Sequence, residues 1–163
     1  MTSKNIRYLG IAIVLAVSAA GILFFVYSTQ KETDLERFIA TNPQAYETGQ
    51  QIFAQTCSAC HGLNGEGQFP DNPRQRDETG RIGAPPHTDA GHTWHHDDDL
   101  LYQIVREGGM GNPEDFYPMP AFGELLSDEE IEAVIFYIKT FWTEEHRQMQ
   151  RANTEAVRNQ NNP

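Results

Sequence analysis

The stretch TCSACHG, Thr56 to Gly62, holds both cysteines of this 163-residue chain, and a histidine follows the second one directly. A Cys-x-x-Cys pair admits several chemistries: a redox dithiol, half of a metal site, a plain disulfide, or the point where a cofactor is fastened. The choice among them decides what the surrounding domain folds around, so the rest of the sequence must make it.

Upstream, Tyr8 to Tyr27 reads YLGIAIVLAVSAAGILFFVY, an uncharged run of 20 residues. As a helix it would be ~30 Å long, the thickness of a bilayer's hydrocarbon core. It has no polar stripe of the kind a buried core helix shows. Lys4 and Arg7 precede it, and Val17-Ser18-Ala19 resembles a weak signal-cleavage site. The apolar run nevertheless exceeds the ~7–15 residues of a signal sequence and continues past that site. The expectation is a retained transmembrane anchor over 8–27, with residues 1–7 in the cytoplasm. The remainder then lies on the periplasmic or extracytoplasmic side of a bacterial cytoplasmic membrane. Ala12, Ala16 and Ala20 place small side chains on one face, which suits packing against other membrane helices.

All 23 Asp and Glu lie after Tyr27, against ten Lys and Arg, so the exported part carries a formal charge of −13. A nucleic-acid partner is excluded on that ground, because phosphate binding needs cationic surface. Protein partners with basic docking surfaces are the natural complement.

Residues 28–43 read as a tether, with one or two helical turns over Asp34 to Ala40 ended at Asn42-Pro43. The folded domain is expected over 44–146. Its first helix runs from Gln44 to Cys57, with Tyr46, Gly49, Ile52 and Phe53 at helical spacing. Gly62 to Gly91 is loop. Asp97-Asp98-Asp99 opens a second helix that buries Leu100, Leu101, Ile104 and Val105 and ends at Gly108-Gly109. Ser127 with Glu130 forms a capping box before the stripe Ile131, Val134, Ile135, Ile138, Phe141 and Trp142. Residues 147–163 are polar and are expected to be disordered. Nothing in the domain reads as strand. The reading is all-α, three to four helices with long loops, and loops of that length need something apolar to pack on.

Cys-x-x-Cys-His is the attachment pattern of c-type haem. Two thiols add to the two vinyl groups of the porphyrin, and the histidine supplies an axial nitrogen. The competing readings lack support. A thioredoxin-like dithiol belongs near a βαβ pattern, absent here. A zinc site would have to draw ligands from His87, His92, His95 or His96. For the second axial position, methionine is the usual partner in electron carriers. Met1 is cytoplasmic, Met110 sits among glycines, and Met149 lies in a polar segment. Met119 stands between Pro118 and Pro120, with Phe116, Tyr117 and Phe122 around it, and is the candidate.

Over about Gln44 to Trp142 the chain resembles the class I c-type cytochromes, single-haem electron-transfer domains. The residues that carry the resemblance are Gly49-x-x-x-Phe53, Cys57-Ser58-Ala59-Cys60-His61-Gly62, Gly83-Ala84-Pro85, Met119-Pro120-Ala121-Phe122, and Tyr137, Ile138 and Trp142. The resemblance implies a cytochrome c fold whose first and last helices cross at Gly49, with Phe53, Tyr137 and Phe141 nearby. It implies one haem c held through Cys57 and Cys60, with His61 and Met119 as iron ligands. It also implies that Pro85 lies beside His61, with a backbone carbonyl accepting from Nδ1.

One departure stands out. After this proline the family has Gly-Pro-x-Leu, and here His87 occupies the apolar place. The segment GHTWHH, 91–96, is also unusual. Trp94 is expected on the haem rim, with His95 or His96 toward a propionate. The function these features imply is that of an anchored carrier of single electrons in a respiratory or photosynthetic chain. It would act as a tethered shuttle or as a subunit of a larger membrane complex, without catalysing a reaction itself. The alternatives are a haem sensor or peroxidase with a labile sixth ligand, and a cytochrome with an added histidine copper or zinc site.

Overall fold

The computed structural model describes residues 3–109, 111–116 and 118–161, and the side chains of all of these except 3–15, 28–33 and 161. The chain divides between Arg37 and Phe38 into two compact units. Helix α1 is Ser3–Thr41. In the first unit every residue from 16 to 27 is exposed, Phe24 at 74%. Among the described residues no helix is long and apolar enough to cross a membrane. The first eight residues of the apolar run, 8–15, lie outside the described side chains. The expected tether over 28–43 is corrected in one respect: α1 continues as helix to Thr41. Asn42 and Pro43 do stop it, as their chemistry requires.

The second unit is helical and is built on one close crossing. Helix α2, Pro43–Ile52, starts with the Asn42 side chain accepting the Ala45 N–H at 3.1 Å. It crosses α5, Asp128–Ile138, at Gly49, where a Cβ would fall on the Ala133 carbonyl. Only glycine allows the two backbones to meet there. Phe53 then packs with Tyr137 and Phe141, at 5.4 Å from each ring. Helix α4, Asp98–Glu107, opens on Asp97, whose carboxylate accepts the Leu100 N–H, and packs on α5. The Ser127–Glu130 capping box forms in full. Ile131, Val134, Ile135, Ile138 and Trp142 are buried together with Phe53, Leu101, Val105 and Phe122. Extended pairing among the described residues is limited to isolated bridges of Ile82 with Arg76 and Phe116.

Two sequence expectations fail here. The first helix does not run unbroken to Cys57: α2 ends at Ile52, a π-turn covers Phe53–Cys57, and α3 takes Ser58–His61. The tail 147–163, expected to be disordered, forms helix α6, Glu144–Asn161. Its inner face is polar rather than apolar: Arg147, Gln150 and Thr154 are buried. Gln150 Nε2 donates to Asp98 at 2.7 Å and to the His96 carbonyl at 3.2 Å. Thr154 Oγ1 accepts the Asp98 N–H at 3.0 Å, and Arg147 donates to the Trp142 carbonyl at 2.5 Å. Hydrogen bonds, not hydropathy, order this helix, so a search for an apolar stripe passes over it.

Two stability measurements check this framework. Gly49→Ala forces a side chain into a backbone and is expected to cost about 3 kcal/mol or more, read as a fall in the denaturant midpoint. Thr154→Val keeps the shape but leaves the buried Asp98 N–H without its acceptor, a loss of about 1–3 kcal/mol. A substitution in a disordered tail would leave the midpoint unchanged.

Candidate functional site

The π-turn delivers Cys57 half-buried at its end, and α3 then carries Cys60 exposed and His61 buried. Single π-turns within helices are frequent at functional sites, because they rotate the following residues relative to a regular helix. Both thiols are free. Burial, and after it the neighbouring Cys60, pushes the Cys57 thiol up to about 11. It is therefore a neutral thiol at physiological pH.

His61 Nδ1 lies 3.0 Å from the Pro85 carbonyl oxygen, 24 residues away in sequence. A carbonyl only accepts, so Nδ1 carries the proton and Nε2 keeps its lone pair. Burial lowers the His61 pKa below its ordinary value, with the Pro85 hydrogen bond opposing. The ring is thus neutral, as a metal-binding imidazole must be. The loop that supplies Pro85 is pinned by backbone bonds. Gly67 N–H donates to the His61 carbonyl at 2.7 Å, Gln68 N–H to Ala84 at 3.0 Å, and His87 N–H to Gly65 at 2.7 Å.

Cys57, His61 and Met119 open onto one cavity of about 500 Å³. Its walls are Leu101, Ile104 and Val105 of α4 and Val134, Ile135 and Ile138 of α5, with His87 and Thr93 completing the lining. The size is within the ~300–1,000 Å³ of cofactor sites, and the surface is almost wholly apolar. Met119 is half-buried, and its carbonyl accepts the Gly109 N–H at 3.0 Å. Phe122 and Gly123 donate to the Val105 and Arg106 carbonyls, so this segment is fastened along the end of α4. Of the other methionines, Met149 is exposed on α6, and Met1 and Met110 lie outside the described residues, as does Tyr117.

The structure does not bring Trp94 or His95 into the cavity lining. Trp94 is instead stacked between His95, at 3.6 Å, and His146 of α6, at 3.8 Å. His146 Nδ1 contacts Asp89 at 2.6 Å. His92 and His96 meet edge to face at 5.4 Å. Among the described residues no three His, Cys, Asp or Glu side chains converge as metal ligands. The expected copper or zinc site in 91–96 thus finds no complete ligand set there.

His87 is the residue the site list omitted. Its ring stacks on His61, with centroids 4.1 Å apart and planes at 22°. Desolvation first, then the neighbouring His61 and His92, holds its pKa well below the ordinary value. The signal was present in the departure from Gly-Pro-x-Leu. Thr93, whose hydroxyl lies 3.0 Å from His87 Nδ1, gave no signal at all.

The donor set fits a covalently attached haem: two free thiols, a neutral imidazole with its lone pair available, a thioether, and apolar walls. Comparison with known proteins bears on the same residues. The sequence pattern of the cytochrome c family matches residues 46–142. Over 99 residues the chain is 27% identical to the cbb3-type cytochrome c oxidase subunit CcoP of Azospirillum brasilense. That alignment covers 61% of this chain but only 29% of the relative, so the chain spans less than a third of that protein's length. No solved structure matches the chain. With a family match that runs from α2 through the Cys57–His61 motif to the end of the α5 stripe, the chain belongs to the cytochrome c family.

Proposed function

We propose that this chain is a membrane-anchored, single-haem c-type cytochrome that passes electrons one at a time outside the cytoplasm. The observation that carries this reading is the meeting of Cys57, His61 and Met119 at one apolar cavity, with His61 Nδ1 already held by Pro85. A haem supplies the one-electron couple at such a site. Cys57 and Cys60 would hold it through thioether bonds, which prevents its loss. His61, through Nε2, and Met119, through its sulfur, would take the two axial positions. With both filled, no position is left for oxygen or peroxide. The walls from α4 and α5 exclude water and so favour the less charged, reduced state.

The apolar run 8–27 supports anchoring, and the charge of −13 beyond it supports partners with basic surfaces. Membership of a fixed oxidase complex, rather than service as a shuttle, draws on the likeness to CcoP, itself named as an oxidase subunit.

Two measurements test the proposal. The reduced protein is expected to keep a c-type α-band after acidic acetone extraction, and the oxidised protein to show a weak far-red band. Met119→Ala abolishes the far-red band and opens the iron to carbon monoxide. A wild-type spectrum that is high-spin and responds to carbon monoxide would overturn the assignment. The protein is further expected to stay in membranes through an alkaline carbonate wash and to be released when residues 1–27 are removed. Co-purification in mild detergent with oxidase subunits supports the complex, and a lone cytochrome at every detergent level supports the shuttle.

A further inference from the structure

A hydrogen bond to Nδ1 restrains one atom of His61. The imidazole can still turn about the N–H···O direction, and that rotation sets the plane in which Nε2 meets a metal. Something else must fix it, and the described residues around the ring contain one planar group stacked on it: the His87 side chain, 4.1 Å away and 22° from parallel.

His87 is itself held from several directions. Its N–H donates to the Gly65 carbonyl at 2.7 Å, and its own carbonyl accepts Trp142 Nε1–H at 2.7 Å. Gly65 sits at φ +68, with Phe141 against the place a Cβ would take, so the strand of loop that receives His87 tolerates no side chain there. The Phe53 ring closes on His87 edge-on, 6.2 Å between centroids. Thr93 Oγ1 lies 3.0 Å from His87 Nδ1 and 3.5 Å from the Pro86 carbonyl. The hydroxyl can donate only to the carbonyl, so it accepts from His87 Nδ1–H, which fixes the tautomer as well as the ring angle. Two imidazoles stacked face to face cannot stand on opposite sides of one metal, so His87 is no rival to Met119.

We propose that His87, locked by Thr93, is a positioning residue that sets the rotational angle of the His61 imidazole at the iron. An aliphatic side chain fills the same space but gives a flat ring no preferred plane. The inference rests on the reading of His61 as an axial ligand.

The test uses the holoprotein and the proton NMR spectrum of its ferric form. The order and spread of the four haem methyl resonances follow the axial imidazole plane, and loss of packing alone does not reorder them. His87→Ala is expected to reorder the methyl resonances while the far-red band persists. His87→Phe, which restores a ring, is expected to return them to the wild-type order. Thr93→Val is expected to shift them in the same sense as His87→Ala. If His87→Ala does not accumulate as holoprotein, Thr93→Val decides. An unchanged methyl pattern in a low-spin variant that retains its far-red band overturns the inference and leaves the ligand assignment standing. A wild-type protein without a low-spin histidine-ligated spectrum overturns both.

Discussion

The hydrogen bond from His61 Nδ1 to the Pro85 carbonyl is the constraint on which the rest of the site depends. It joins the end of α3 to a loop 24 residues downstream, and it makes sense of that loop's composition. The chain between them must turn back on itself within a short distance of a buried ring. Gly67 N–H returns to the His61 carbonyl, and His87 N–H returns to Gly65. These are backbone bonds in a segment with no regular ladder, so each buried N–H and C=O has to find its partner singly. A proline carbonyl is well suited to the task, because its φ is fixed and its oxygen cannot swing far.

The helical framework reaches the same point from the other side. Close contact of α2 and α5 at Gly49 brings Phe53 against Tyr137 and Phe141. The far edge of Phe53 then meets His87, which meets His61. A single buried ring therefore links the helix crossing to the pair of imidazoles. The π-turn that begins at Phe53 fits this arrangement. A regular helix from Gln44 through Cys57 would rotate Cys57 relative to Phe53 by a different angle, and the thiol would leave the cavity it now lines.

The parts of this architecture legible in sequence are those whose cause is local. Asp97 and Ser127 announce helix starts because a cap involves three or four consecutive residues. The α5 stripe is legible because its partner surface is apolar whatever its identity. The π-turn has no such signature, since its residues are ordinary helix formers. Helix α6 escapes notice because its buried groups, Arg147, Gln150 and Thr154, acquire partners only from 92–99 and 139–142. The surroundings of Trp94 were misread for a related reason. The ring that covers it belongs to His146, 52 residues further on, and an expectation that α6 is absent removes that ring from consideration.

The ordering of α6 also changes which charges face outward. The run Asp97-Asp98-Asp99 reads as a solvated acidic cluster that complements the α4 dipole. In the structure Asp97 is occupied by the Leu100 N–H, and Asp98 is engaged by Lys139 at 2.5 Å and by Gln150. Asp99 pairs with Arg158 at 2.7 Å. Exposed pairs of this last kind add little stability, yet they cancel charge locally. The field that an approaching partner meets near α4 is therefore weaker than the three carboxylates suggest. Glu124, Glu129 and Glu132, exposed on α5 and just before it, remain as the denser source of negative potential. A basic partner steered by long-range attraction should be drawn to the α5 side of the domain rather than to the end of α4.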